Sequence, residues 1–304
     1  MKQRTSVSLL ILIFICLSAL GQNSAWDVPI QAGKDAMAKK QYVEAEKAFR
    51  DSLAVAEKFG EKDARFAGSL LYLAQACDAQ AKTDEAEELA RRAVDSMNKA
   101  LKAYKPKKAE QQFEQAEVAS SLFDKAGDIL ASHKKYPDAE MLYERVVQIR
   151  ESAAEENHNP KNNEDFFRFM IQATSDPQGQ LAKAQEKLGS LYFTEHKFAE
   201  AAATYKKAQS VREADPKHDP RVLAQTITNL ATCYAAQAKY DQAEPLYQQA
   251  LKLFAAANWT EKPENLSTMQ LYALMLKNSG RQEEARAMLD KAAAIQKKLG
   301  QTPQ

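Results

Sequence analysis

The strongest constraint on the fold is a motif that recurs after 42 residues in the second half of the chain. The earlier copy consists of Leu188, Gly189, Tyr192, Phe198, Ala201, Tyr205 and Ala208. The later copy consists of Leu230, Ala231, Tyr234, Tyr240, Ala243, Tyr247 and Ala250. A fixed period of this size without β-type alternation is typical of a solenoid of helical repeats. The sequence therefore predicts an all-α protein whose stacked repeats bind other proteins.

Small and aromatic residues alternate at three- and four-residue steps within each copy. Residues at these steps share one face of a helix, so small side chains let two helices approach while rings fill the gaps. A short polar break, Glu195–Lys197, separates Gly189 from Ala201. We expect one antiparallel helix pair per copy, with neighbouring copies covering each other's apolar faces.

The same pattern occurs four more times, and the central alanine of each copy marks its register. These alanines are Ala45, Ala86, Ala139, Ala201, Ala243 and Ala285. Thr83 and Arg281 take the first aromatic position of the second and last copies. The steps between markers are 41, 53, 62, 42 and 42 residues. The two long steps predict insertions near residues 95–112 and 151–180.

These residues resemble the tetratricopeptide repeat (TPR), in which helix A carries the small residue and helix B the small and aromatic residues. The stretch from Asp219 to Leu253 is similar to the 42-residue variant of kinesin light chains. The resemblance implies a right-handed superhelical solenoid of antiparallel helix pairs. It would hold about six repeats over residues 26–300.

The N-terminus has the pattern of an export signal. Lys2 and Arg4 precede an uncharged apolar run of 14 residues, Val7–Leu20, and small residues follow it. Signal-peptide cores span ~7–15 residues, whereas a membrane-spanning helix needs about 20. We expect a signal peptide over residues 1–21, with cleavage as late as residue 25, and a periplasmic or extracellular protein. A retained membrane anchor is the alternative.

Charge and motifs argue against several other classes of protein. The net charge is +1 with mixed signs throughout, so nucleic-acid binding has no electrostatic support. The four histidines lack metal-ligand spacing, and phosphate-loop and nucleophile-elbow motifs are absent from the sequence. We therefore predict no catalytic residue, no metal and no cofactor. Cys77 and Cys233 lie in distant copies, and we expect two buried thiols rather than a disulfide.

The resemblance also suggests where a partner binds, because helix A residues that do not pack against neighbours line the concave side in this family. In this sequence the candidates are Tyr72, Gln75, Asp124, Asp128, Lys187, Ser190, Asn229 and Thr232. Asn229 takes the family position whose amide can bond to a peptide backbone. The predicted ligand is a protein or peptide segment.

The second insertion contains an apolar run, Phe166–Ile171, after a polar, turn-rich stretch. The favoured interpretation is a short helix that packs across the third and fourth copies, since six such side chains are costly to leave in water. The alternative is an exposed segment that binds a partner.

Taken as a whole, the sequence favours an exported scaffold or adaptor that binds protein segments in its groove. A membrane-anchored accessory subunit of a cell-envelope complex is the second hypothesis. In that case only the uncleaved N-terminal segment contacts the membrane. An enzyme with unrecognised chemistry is the third hypothesis.

Overall fold

The computed structural model describes residues 24–104, 109–156, 176–215 and 219–301. This part of the chain forms twelve α-helices and one short 3₁₀ turn, with no β-strand. The helices are α1 (Ser24–Ala38), α2 (Tyr42–Ala56), α3 (Ala64–Asp78), α4 (Thr83–Ala103), α5 (Ala109–Ser132), α6 (Tyr136–Glu156), α7 (Pro177–Thr194), α8 (Phe198–Ala214), α9 (Pro220–Ala236), α10 (Tyr240–Ala256), α11 (Pro263–Asn278) and α12 (Gln282–Gln301). The predicted all-α fold is confirmed.

The helices group into two compact units, Met1–Ile149 and Arg150–Gln304. In the first unit, α1 to α5 pack in sequence, and α3 also contacts α5. In the second unit, α7 to α12 pack in sequence, and α9 also contacts α11. Odd-numbered helices are therefore the A helices of successive pairs, and even-numbered helices are the B helices.

In three of the pairs, helix A meets helix B where a glycine faces an aromatic ring. A Cβ atom added to Gly33 would lie 2.3 Å from the Phe49 ring, and one added to Gly127 would lie 2.6 Å from the Tyr143 ring. The same contact joins Gly189 to Tyr205. The six marker alanines on the B helices are all buried. Close approach of the two helices thus depends on these small residues, as the alternating pattern predicts.

The turn inside every pair has one backbone form. A residue in the left-handed region lies two positions before each B helix: Lys40, Ala81, Lys134, His196, Ala238 and Gly280. The amide of the next residue donates to a carbonyl near the end of helix A, as in Lys239 N to Tyr234 O at 2.9 Å. This Schellman-type bond satisfies a terminal carbonyl and reverses the chain. The break predicted at residues 195–197 is one of these turns.

The last turn corrects one detail of the sequence alignment. Helix α12 begins at Gln282, so Gln282 takes the first aromatic position and Arg281 aligns with Lys239. The assignment of Arg281 to the aromatic position was wrong by one residue. The sequence has no aromatic landmark there, whereas the turn geometry fixes the register.

Ion pairs join consecutive helix pairs. In each of them, a glutamate near the start of one B helix contacts a basic side chain on the residue directly before the next B helix. Glu46 Oε2 lies 2.6 Å from Lys82 Nζ, and Glu244 Oε2 lies 2.6 Å from Arg281 Nη1. A weaker version joins Glu87 to Lys135 at 3.5 Å. These contacts fix one repeat on the next at their polar edges.

The first predicted insertion falls on two long helices. Helix α4 continues to Ala103, with Met97 and Ala100 buried, and α5 begins at Ala109. For the second insertion, α6 continues to Glu156 and α7 begins at Pro177. The Phe166–Ile171 segment lies outside the described residues, as does the predicted signal peptide. Among the described helices, none combines the length and apolar character that a membrane crossing requires.

Candidate functional site

The A helices of the first unit line one groove of about 520 Å³, and five of its polar or aromatic side chains follow the repeat register. Each lies at a fixed distance from the small residue of its helix. Lys34, Gln75 and Asp128 directly follow Gly33, Ala74 and Gly127, while Tyr72 and Lys125 come two residues before Ala74 and Gly127. Three of the predicted candidates, Tyr72, Gln75 and Asp128, therefore line one cavity.

Tyr72 lies at the centre of this groove. Its ring stacks on Phe49 with centroids 5.3 Å apart and planes inclined by 18°. Two ammonium groups approach the same ring from the flanking A helices: Lys34 Nζ is 4.8 Å and Lys125 Nζ is 5.8 Å from its centroid. The negative face of an aromatic ring attracts cations at such distances. Three successive repeats thus converge on one tyrosine.

The two carboxylates of the groove have partners within the protein. Asp128 Oδ1 accepts a hydrogen bond of 2.7 Å from the Tyr143 hydroxyl. Burial and the neighbouring Asp128 carboxylate raise the pKa of Tyr143 above its ordinary value. Asp78 Oδ1 lies 2.8 Å from His133 Nε2. Both carboxylates therefore contact polar groups of the protein itself.

His133 is a residue whose role the sequence analysis did not anticipate. Its imidazole is 11% exposed and lies between Asp78 and Glu87, with Nδ1 3.6 Å from Glu87 Oε1. His133 directly precedes the left-handed residue of its turn, Lys134. Gln80 and Gln237 occupy this same position in the turns of other repeats. Their amides bond to the carbonyls of Tyr42 and Phe198. A comparison of turn positions across repeats would have identified this slot.

Lys34 and Lys125 were also missed, and the same register identifies them. The structure places Lys125, rather than Asp124, among the side chains that line the groove. Asp124 lies one residue earlier on α5 and is half-buried. Counting from Gly127 by the offset that separates Tyr72 from Ala74 leads to Lys125.

Family models of the tetratricopeptide repeat match residues 29–99, 123–160, 180–256 and 222–298, together more than half of the chain. The chain belongs to the tetratricopeptide repeat family. These models describe a repeat rather than a catalytic domain. No curated protein sequence matches the chain significantly.

Solved structures show the same TPR fold at low sequence identity. A putative kinesin light chain from Podosopora anserina with nearly identical TPR-like repeats is 19% identical, with a TM-score of 0.55 over 77% of this chain and 96% of the other. BtubC from P. vanneervenii is 15% identical, with a TM-score of 0.57 over 86% and 94%. The apo form of RapI is 13% identical, with a TM-score of 0.65 over 91% and 67%. At these identities the likeness establishes the fold alone.

The other predicted candidates lie on α7 and α9 of the second TPR unit. The Thr232 hydroxyl is 3.0 Å from the Tyr247 hydroxyl, and Ser190 bonds to the Tyr205 hydroxyl. Asp128 and Tyr143 form the corresponding pair in the first unit. In all three pairs a polar A-helix side chain holds the aromatic hydroxyl of its own B helix. This structural contact coexists with the predicted groove role of these residues, which stays a prediction.

Asn229 and Lys187 occupy equivalent positions on adjacent A helices. The Asn229 amide oxygen accepts a bond of 3.1 Å from Gln225, and its side chain is half-buried. A second-unit cavity of about 210 Å³ lies beside Arg212 and Asp219, and neither Asn229 nor Lys187 lines it. The structure therefore gathers Tyr72, Gln75 and Asp128 into one groove, whereas Asn229 and Lys187 do not line this second-unit cavity.

One cluster among the described residues has the composition of a metal site. Ligand atoms of Glu46, Cys77 and Glu85 lie within 4.8 Å of one another. The carboxylates already contact Arg50 and Lys82, and burial raises the pKa of Cys77 to about 11. A protonated thiol and two cation-paired carboxylates form a poor metal donor set. We interpret this cluster as a polar contact between the first two repeats.

Proposed function

We propose that this TPR protein is an exported scaffold that binds extended segments of other proteins. The groove around Tyr72 is the binding surface for which the geometry argues most strongly. The observation that carries the proposal is the convergence of three A helices on one polar and aromatic groove. An extended segment has unpaired backbone N–H and C=O groups, and the half-buried Gln75 amide offers both a donor and an acceptor.

A crosslinking experiment tests the groove. A photoreactive amino acid is placed at Gln75 and, as the matched control, at Val43, which is 67% exposed on α2 and lies outside the groove. We expect a discrete adduct from Gln75 in the native compartment and none from Val43. The captured partner is then titrated against Gln75→Ala, which should weaken binding by about tenfold through one lost hydrogen bond. Equal labelling at both positions would argue against a groove site.

The second unit provides a secondary test with the same partner. Losing one amide contact to a bound backbone costs ~1–3 kcal/mol, so Asn229→Ala should weaken binding if the segment reaches α9. Lys187→Glu should slow association with an acidic partner and change its salt dependence. Helicity measured by circular dichroism controls for folding. Unchanged affinity in both variants would limit the interface to the first unit.

Export is a separate part of the proposal and rests on the N-terminal pattern of Lys2, Arg4 and Val7–Leu20. We expect the mature protein to have lost its first 21 to 25 residues and to occur outside the cytoplasm. N-terminal sequencing after cell fractionation measures both. Recovery of an intact N-terminus in the membrane fraction would favour the anchored accessory subunit instead.

A further inference from the structure

We infer that His133 is a pH-sensitive joint between the second and third repeats, which holds them together more tightly when its imidazole carries two protons. His133 lies in the turn after α5, and its ring reaches both helices of the preceding repeat. Asp78 Oδ1, at the end of α3, is 2.8 Å from Nε2, and Glu87 Oε1, on α4, is 3.6 Å from Nδ1. This joint is independent of what the groove binds.

A neutral imidazole can satisfy only one of these two carboxylates. It has one N–H group and one nitrogen lone pair, so the nitrogen without a proton turns its lone pair towards a carboxylate. Nε2 lies at hydrogen-bond distance from Asp78, whereas Nδ1 is buried and has no hydrogen-bond partner among the described residues. The imidazolium ion has an N–H on both nitrogens and would bond to Asp78 and Glu87 together.

The contact between the first and second repeats shows the same position with a permanent donor. Gln80 takes the place of His133 in the preceding turn, and its amide donates to Glu46 Oε2 over 2.7 Å. Glu46 and Glu87 directly follow the marker alanines of α2 and α4, so they are equivalent carboxylates. Gln80 donates in one charge state only, whereas His133 donates to both carboxylates only after it has taken up a second proton. The later contact thus has a proton-dependent donor where the earlier one has a fixed donor.

Glu87 also lacks the short ion pair of its counterpart. Its side chain is 14% exposed, and its contacts with Lys135 and His133 measure 3.5 and 3.6 Å. Glu46, by contrast, lies 2.6 Å from Lys82. A carboxylate removed from water needs strong donors in exchange. A proton on Nδ1 would therefore add a charge-assisted bond at a carboxylate that is weakly paired without it.

The charges around the ring set the direction of the pH dependence. Asp78 from α3 and Glu87 from α4 are negative, and Lys135, directly before α6, is positive and contacts Glu87. These groups leave a net negative charge beside His133, which an imidazolium would neutralise. Because the doubly bonded form exists only when the repeats are stacked, its contribution to stability is present on the acid side of the range in which imidazoles titrate, about pH 5–8, and is lost as the pH rises through it.

Hydrogen exchange followed by mass spectrometry tests this joint at pH 6 and pH 8, expressed as protection factors to remove the pH dependence of the exchange chemistry. The test variant is His133→Gln, which introduces the amide that Gln80 carries in the preceding turn. Glu87→Gln removes the carboxylate instead. His196→Gln is the matched control, since His196 lies in another turn with its ring edge-on to Phe198. Circular dichroism checks that each variant is folded.

We expect α3 and α4 of the wild type to be about tenfold better protected at pH 6 than at pH 8, because deprotonation removes one charge-assisted hydrogen bond. His196→Gln should keep this ratio, whereas His133→Gln and Glu87→Gln should be protected equally at both pH values. Equal protection of the wild type at the two pH values would overturn the inference. A wild-type ratio in either His133→Gln or Glu87→Gln would also overturn it, since the pH dependence would then come from another group.

Discussion

At the scale of single residues, the turn inside each repeat depends on one left-handed position. Five of the six described turns place a residue with a side chain there, and only the last uses glycine, Gly280. The left-handed conformation costs ~1–2 kcal/mol for a residue with a Cβ atom. These turns persist because the Schellman-type bond and the packed helices determine the backbone.

This strain makes Ala238→Gly a stabilising change. Relief of the left-handed cost exceeds the entropy that glycine loses on folding, so we expect a gain of about 0.5–1 kcal/mol in the free energy of unfolding. Gly280→Ala is the reverse test, because its added Cβ atom would meet no neighbour within 4 Å. It should destabilise through backbone strain alone. Urea unfolding of both variants provides the measurement, and shifts of the same sign would contradict the argument.

The central aromatic of helix B is the second residue-scale determinant. Tyr247 is 1% exposed and stacks on Tyr272 with centroids 5.5 Å apart. Tyr247→Ala should cost ~3–5 kcal/mol through the cavity it leaves, and Ala243→Leu about 1–3 kcal/mol through overpacking. The matched control is Leu289→Ala, which changes the equivalent position of α12 where the side chain is 47% exposed. Thermal unfolding midpoints for all three variants test the assignment. A larger loss at Leu289 than at Tyr247 would contradict it.

At the scale of helices, successive helix pairs contact each other through ion pairs at the edge formed by the start of helix B and the next turn. Glu46 on α2 accepts from Lys82, Arg50 and Gln80, which come from its own helix and from the next turn. The bonds from Lys82 and Arg50 outweigh the effect of burial and lower the pKa of Glu46 to about 2. Glu244 has a lowered pKa for the same reason, through Arg281 and Tyr272. The charged forms of these carboxylates thus contribute to repeat stacking.

The lowered pKa of Glu46 predicts a pH dependence of stability. Its folded pKa lies below its ordinary value of 4.5, so the contribution is complete above that pH. It is lost as the pH falls from 4.5 towards 2. Glu46→Gln should lower stability at neutral pH and flatten this acid dependence, whereas Glu44→Gln, an exposed change on the same helix, should not. Urea unfolding between pH 2 and pH 7 measures the free energy of unfolding. If this free energy fell equally at acid pH in wild type and Glu46→Gln, the prediction would be wrong.

At the scale of the whole molecule, each unit buries one cysteine in its core. Cys77 and Cys233 are fully buried free thiols, which confirms the sequence prediction. Burial raises the pKa of Cys77 to about 11 and that of Cys233 to about 12. Because the thiolate is the reactive form, native thiols of this kind are inert at neutral pH.

Each thiol should therefore report the unfolding of its own unit. The chain is produced without residues 1–25, which removes Cys16, so that Cys77→Ser and Cys233→Ser each keep one thiol. In these variants we expect no reaction with a disulfide reagent at pH 8 until urea unfolds the unit that holds the remaining thiol. Circular dichroism recorded on the same samples provides the comparison. Rapid labelling of the native protein at either position would show that the unit opens without denaturant.

The sequence by itself determined the helix pairs, the repeat register and the small-to-aromatic contacts. Alternating side-chain size over a fixed period leaves few other ways to bury Ala243 and Tyr247. Through the family resemblance it also named Tyr72, Gln75 and Asp128, which the structure places in one groove. Only the tertiary structure decided that Lys34 and Lys125 meet over Tyr72 and that His133 lies between two carboxylates. Those contacts join different repeats, and they depend on how side chains from successive helices are directed when the repeats stack, which a period in the sequence does not encode.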